Sequence, residues 1–187
     1  MTGKVIIPEF PELTFEEAPH IYRLNGFEVP SVTTLMKPLS NEVYGTVDEA
    51  VLNRAAQRGT EVHETIETLV KYGIEDCASE NRGYLEAFKA WLKDHHVDPV
   101  ASECRLYHKS LRYAGTADLP SLIDGRLTMV DVKTTASLIE MLARVQLEAY
   151  VQGYSSHGVA FEQKAILHLK KDGSYKMEMF AIKDPEA

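Results

Sequence analysis

Tyr113-Ala114-Gly115-Thr116-Ala117-Asp118, followed further along by Asp131-Val132-Lys133, is the stretch that decides the architecture. Between the two pieces stands Asp124-Gly125, a dipeptide suited to the positive φ angles of a two-residue hairpin turn. With that turn made, Ile123 faces Arg126, and counting outward in this register sets Asp118 directly across from Asp131. Opposed like charges destabilise a sheet, so the register makes physical sense when a cation sits between the carboxylates. Lys133 is two residues past Asp131 and shares its face of the strand. Pro120 cannot donate to a ladder and predicts a bulge or an edge close to it. Two acids and a lysine on one face suit phosphodiester hydrolysis, in which a hard cation takes oxygen ligands while the lysine orients or deprotonates a water and offsets charge on the phosphorane. An isolated Asp-x-Lys is more often a surface ion pair of little consequence.

Working outward, Ala101 to Tyr107, Tyr113 to Ile123 and Leu127 to Lys133 read as three strands in sequence. Before them, residues from Thr46 to Tyr72 have helical spacing through Val47 or Ala50, Val51, Ala55, Val62, Ile66, Leu69 and Val70, with Gly59 weakening the middle, and read as one long helix or two abutting ones. A further helix is expected over Glu80 to Asp94, capped by Ser79 and burying Tyr84, Leu85, Phe88, Trp91 and Leu92. After the strands, Ser137 to His157 returns to helical spacing through Leu138, Met141, Leu142, Val145, Ala149 and Gln152. Strands follow at Gly158 to Leu169 and Tyr175 to Ile182, joined by a turn at Lys171-Asp172-Gly173-Ser174. Near the start, His20 to Val29 alternates about Asn25-Gly26 and predicts a small β-hairpin behind an irregular arm. Ser31 is placed to cap a short helix that Pro38 ends. The reading is α/β, a central mixed β-sheet flanked by helices. It forms one domain over 1–187, with an arm and hairpin at 1–45 and the core at 46–187.

Composition narrows the class. The chain has 187 residues, 44% of them hydrophobic and 26% charged, which fits an ordinary globular domain and argues against disorder. No apolar run approaches the roughly 20 residues of a membrane span. The first twenty residues resemble neither a secretory signal nor a basic transit peptide, so a cytoplasmic location is expected. Two cysteines, Cys77 and Cys104, are too few for a four-cysteine zinc or iron-sulfur site. The formal charge of −8 gives no general grip on nucleic acid, so any phosphate contact must be local. Arg54, Arg58 and Lys133 are candidates for such a patch. Tyr22, Phe27, Tyr44 and Tyr113 are aromatic candidates for base stacking, though core packing is their commoner use.

Further residues suit the same chemistry. Arg58-Gly59-Thr60 leads to His63, a helical histidine able to bring a neutral imidazole to the sheet edge. Gln146 and Tyr150 are one helical turn apart and project together, offset from the expected apolar stripe. Glu103, in the strand before the hairpin, could add an acid, although a solvated strand carboxylate is as common.

Taken in order, Arg58-Gly59-Thr60 with His63, Glu103, Gly115-Thr116 with Asp118, Asp131-Val132-Lys133, and Gln146 with Tyr150 resemble the PD-(D/E)XK nuclease superfamily, and within it the RecB-like exonuclease branch. The segment from Tyr22 to Pro30-Ser31-Val32-Thr33 looks like what precedes the core in phage exonucleases and the mitochondrial genome maintenance exonuclease. The resemblance implies a restriction-endonuclease-like core and one or two Mg²⁺ or Mn²⁺ ions held by His63, Asp118, Asp131 and the backbone carbonyl of Val132. Lys133 would act on the water, Asp118, Asp131 and Glu103 would belong to the catalytic set, and Gln146, Tyr150, Arg58 and Thr60 would brace the site and contact the nucleic acid. It implies a DNA exonuclease acting on single- or double-stranded ends in replication, recombination or repair, with a phage-encoded enzyme at work in bacterial host cytoplasm among the origins it allows. A recombination or replication protein is a candidate partner, and homo-oligomers occur among relatives. The alternative is a non-catalytic nucleic-acid- or partner-binding module on the same fold.

Overall fold

In the computed structural model, which describes residues 5–45 and 47–183, Asn25 and Gly26 take φ of 52° and 81° and turn β2 (Ile21–Leu24) into β3 (Phe27–Val29). The expected hairpin is there, and β1 (Leu13–Glu16) adds an antiparallel third strand to it, with Leu13 opposite Leu24 and Phe15 opposite Tyr22. Four residues hold too little alternation to announce that strand beforehand. Ser31 caps α1 (Val32–Leu35) by accepting the Thr34 N–H at 3.0 Å. Pro38 does not end a helix as expected. It stands in the first turn of α2 (Lys37–Tyr44), where a missing N–H costs nothing.

One continuous helix, α3 (Glu49–Tyr72), follows, so Gly59 does not divide it. Asp48 caps it by accepting the Ala50 N–H, and Gly73 ends it in the left-handed region at φ 69°. The expected start at Thr46 lies outside the described residues. Within α3 only Val62, Thr65 and Ile66 are buried; Val51, expected on the apolar stripe, and Leu52 are exposed. Ser79 does not cap the next helix. A 3-10 turn, Ser79–Asn81, precedes α4 (Arg82–Asp94), and the Ser79 hydroxyl turns to Glu80. Tyr84, Leu85, Phe88 and Trp91 are buried as their spacing requires, while Leu92, expected with them, is half-buried at the margin of the cluster.

The expected strand from Tyr113 to Ile123 is two strands, β6 (Ala114–Ala117) and β7 (Leu119–Ile123), parted by a bend at Asp118. With β4 (Val97–Pro99), β8 (Arg126–Lys133), β9 (Gln163–Leu169) and β10 (Tyr175–Ala181), β7 builds a sheet of order β10-β9-β8-β7-β4. β6 pairs instead with β5 (Cys104–Tyr107). β8 and β9 run parallel, joined by the crossover helix α5 (Glu140–Ser155), and the other pairs are antiparallel, so the sheet is mixed.

Period-two alternation sends Val130, Val132, Ala165 and Leu167 to one face, where Phe88, Trp91, Val62 and Ile66 cover them. Met129 and Ile166 face the other way, under Leu147, Tyr150, Val151 and Tyr154 of α5. Helices thus flank the central sheet on both sides. The stripe expected on α5 is displaced: Met141 is 45% exposed, whereas Leu147, Tyr150 and Tyr154 are buried. Gly153 explains the shift, since a Cβ there would lie 2.3 Å from Leu106 Cδ1, and the glycine lets α5 settle onto β5 with its tyrosines inward.

Candidate active site

Asp124 and Gly125 take φ of 50° and 77°, and the ladder between β7 and β8 runs from Ile123 opposite Arg126 to Leu119 opposite Val130. One step further in that register come Asp118 and Asp131. The ladder stops at the bend, and Asp118 Oδ2 accepts the Val132 N–H at 2.7 Å in place of a strand partner. The Pro120 carbonyl accepts both Val100 N–H (2.9 Å) and Ala101 N–H (3.2 Å), two residues against one, so the chain beyond β4 is irregular beside the proline. Glu103 stands one residue ahead of β5 rather than within a strand. Its φ is 51°, and its N–H donates to the Asp118 carbonyl at 2.9 Å. A left-handed non-glycine residue carries roughly 1–3 kcal/mol of strain, which the surrounding contacts hold in place.

His63 projects from α3 into this corner. Its Nδ1 lies 3.1 Å from Glu103 Oε1 and 3.8 Å from Asp118 Oδ1, and its Nε2 lies 3.1 Å from the Val132 carbonyl oxygen. A carbonyl and a carboxylate can only accept, so both ring nitrogens carry protons and the group is an imidazolium. Burial would push that cation down, but the Asp118 charge and the Glu103 hydrogen bond outweigh it and hold His63 at about 9. The ligand atoms of His63, Glu103 and Asp118 all lie within 4.8 Å of one another, a group that could hold a metal ion.

Asp131 is fully buried and faces Lys133, whose Nζ donates to Oδ1 at 2.9 Å. Oδ2 is 2.7 Å from the same ammonium but off its hydrogen-bonding direction, and it has no other partner among the described residues. Burial lifts Asp131 to about 6 and raises Asp118 as well. Lys133 is pushed down by burial and further up by Asp131 and Asp118, so its ammonium stays charged. Nζ also donates to Gln146 Oε1 at 2.9 Å, and Gln146 Nε2 donates to the Tyr150 hydroxyl at 2.7 Å. Gly115 admits this chain: a Cβ there would lie 2.8 Å from Tyr150 Cε1 and 3.3 Å from Val32 Cγ2.

The remaining candidates divide. Arg58 reaches the corner through Nη2 on the Thr134 carbonyl at 3.3 Å, just past Lys133. Thr60 is exposed and its hydroxyl returns to the Ala56 carbonyl of its own helix, away from the acids. Tyr22 and Tyr113 are buried with hydroxyls bonded to Thr116 and the Ala149 carbonyl, so they pack, while Phe27 is exposed at the hairpin. Thr134 escaped the sequence reading because it contributes a backbone carbonyl, which leaves no trace in residue type. The link from Tyr22 to Thr116 joins the arm to the motif strand, and the parallel bridge from Ser31 to Ala114 reinforces it.

No protein-family model and no curated protein matches the chain. Among solved structures, the alkaline exonuclease LHK-Exo from Laribacter hongkongensis overlaps 65% of this chain and 68% of its own, at 6% identity and a TM-score of 0.42. Its complex with dAMP overlaps 73% and 75%, at 10% identity and a TM-score of 0.42. The protein SSO0001 overlaps 57% of this chain and 50% of its own, at 16% identity and a TM-score of 0.34.

Proposed function

We propose that the chain is a metal-dependent deoxyribonuclease of the PD-(D/E)XK, RecB-like type, hydrolysing phosphodiester bonds from DNA ends. Residues 46–187 form its core and 1–45 an arm. The observation that carries the reading is the convergence of three carboxylates, Glu103, Asp118 and Asp131, on one corner, with Lys133 and a protonated His63 as the cations paired to them among the described residues. Such a corner is short of positive charge as soon as the imidazole loses its proton. The Asp131 oxygen without a hydrogen bond and the close His63, Glu103 and Asp118 atoms fit a hard divalent cation, Mg²⁺ or Mn²⁺.

His63, Asp118, Asp131 and the Val132 carbonyl would hold that ion, with Glu103 beside them. The bound metal supplies Lewis-acid stabilisation of the phosphoryl charge and a more acidic water. Lys133, fixed by Gln146 and kept protonated, donates from Nζ to the developing negative oxygen. Tyr150 holds Gln146, and through it the direction of that ammonium. Glu103 takes the Nδ1 proton of His63 as a hydrogen bond and keeps the ring turned toward the acids.

The test is a time course on single- and double-stranded DNA labelled at either end, with Mg²⁺, Mn²⁺ or EDTA, beside Asp131→Ala and Lys133→Ala. Metal-dependent loss of DNA with the native protein alone supports the reading, and the label released first gives the polarity. DNA left intact under both metals refutes it.

A further inference from the structure

α3 carries Arg54, Gln57, Arg58 and Glu61 at spacings of three and four, so they project from one side of the helix. That side borders a cavity of about 240 Å³, closed by the start of α4 and by Lys171 in the turn between β9 and β10. Gly83 makes the closure: a Cβ there would lie 1.8 Å from the Lys171 carbonyl oxygen, so only glycine lets the turn press against α4. Three cations meet in this cavity although the whole chain has a formal charge of −8.

The two acids in the wall are engaged. Glu61 accepts from Gln57 at 3.1 Å and from Asn81 at 2.8 Å, and Glu80 accepts from the Ser79 hydroxyl at 3.3 Å. Among the described residues, Arg54, Arg58 and Lys171 have no carboxylate partner. Arg58 is tethered by Nη2 to the Thr134 carbonyl, and its buried Nε has no hydrogen bond. A buried charged donor left unmade is costly, and a planar guanidinium matches the oxygens of a phosphate. Thr134 follows Lys133 in the chain, so Arg58 links the cavity to the acidic corner.

We propose that this cavity binds a phosphate group of a nucleic-acid strand beside the cleavage centre, with Arg54 and Lys171 joining Arg58 as its cationic ligands. The identity of the strand rests on the nuclease reading; the phosphate site itself does not. Two arms test it. In the first, the arginine Nε–Hε NMR signals of the native protein are followed as inorganic phosphate is added, and the signals of Arg54 and Arg58 shift and saturate. In the second, single-stranded oligonucleotides ending in phosphate or in hydroxyl are bound in EDTA by the native protein and by Arg54→Glu and Lys171→Glu. Each variant binds on the order of tenfold more weakly, and its slope of log affinity against log salt falls by about 1.

A loss confined to phosphorylated ends assigns the cavity to a terminal phosphate, and an equal loss assigns it to an internal phosphodiester. Arginine signals that do not move, with affinity and slope unchanged, overturn the site. The two readings fail separately: cleavage with silent arginine signals removes the cavity and keeps the nuclease, whereas moving signals without cleavage under any metal do the reverse.

Discussion

Two lysines on neighbouring strands of the same sheet each form a carboxylate pair with one fully buried member, and the pairs are built to opposite specifications. Lys164 of β9 is 1% exposed and donates to Glu148 Oε2, while Gln152 donates to Glu148 Oε1 at 2.7 Å, so both carboxylate oxygens are satisfied. Lys133 of β8 pairs with Asp131, but one carboxylate oxygen has no hydrogen bond, and two further acids and an imidazolium crowd the same corner. The first pair is complete within the chain. The second is an arrangement whose groups are held at shifted protonation states, as functional sites commonly are. The difference teaches that burial of a lysine on this sheet is not itself a sign of chemistry; incompleteness around it is.

Substitution separates the two pairs most sharply. Lys133→Ala is expected to lower metal-dependent DNA cleavage by about 10²–10³-fold or more, with little change in far-UV circular dichroism. Lys164→Ala is expected to leave activity per folded molecule intact and to cost stability toward the lower end of roughly 3–5 kcal/mol, since Glu148 is partly open to water. Urea unfolding and single-turnover cleavage on both variants check this, and equal loss of activity in the two would erase the distinction.

Metal response is the next contrast. In Mg²⁺ or Mn²⁺ at a hundred times its dissociation constant the native protein gains about 2.7 kcal/mol. Asp118→Asn loses that gain and the Lys164 variant keeps it, as thermal melts with and without EDTA would reveal. Affinity rises with pH through 6 and on through 9, because the ion competes with the protons of Asp131 and His63. Isothermal titration at several pH values reads it, along with the protons released.

Without metal the sign reverses. His63 is held at about 9 against an ordinary 6.5, so its stabilising contribution is complete below 6.5 and is lost as pH rises through 9. Asp131, raised from 3.8 to about 6, acts in the same direction over a lower range, since the folded state again binds the extra proton. The melting temperature in EDTA therefore declines between pH 5 and 9.5, and His63→Gln flattens the upper part of that decline. A melting temperature that climbs over this range would contradict the imidazolium geometry.

The smallest effects concern two glycines. Gly115→Ala drives a Cβ into Tyr150 and is expected to cost about 1–3 kcal/mol and to slow cleavage by displacing Gln146. Gly59→Ala, whose Cβ would meet Thr134 Oγ1 at an ordinary 3.8 Å, is expected to stabilise α3 by up to about 1 kcal/mol. Paired thermal melts distinguish them.

Much of the fold was legible because its signals are local. Asn25-Gly26 and Asp124-Gly125 both turn with positive φ, and the second fixes the register that brings Asp118 and Asp131 to the same end of one ladder. Trp91 and its neighbours declare the buried face of α4 by spacing alone. Legibility failed where the environment lies far away in the chain. The buried face of α5 is set by Gly153 against Leu106. Glu103 looked like a strand residue, and its left-handed φ depends on the Asp118 carbonyl across the bend.

By itself, then, the sequence determined the turns, the helical stripe of α4, the Val62 and Ile66 part of the α3 stripe and the residue types of the acidic corner, because these follow from period, side-chain volume and φ preference over a few residues. Only the tertiary structure decided that His63 meets Glu103 and Asp118, that Lys133 leans on Gln146, and that Arg54, Arg58 and Lys171 share one cavity. Those meetings join separate elements of the fold, and they exist only once the packing of α3, α4 and α5 on the sheet has fixed where each side chain ends.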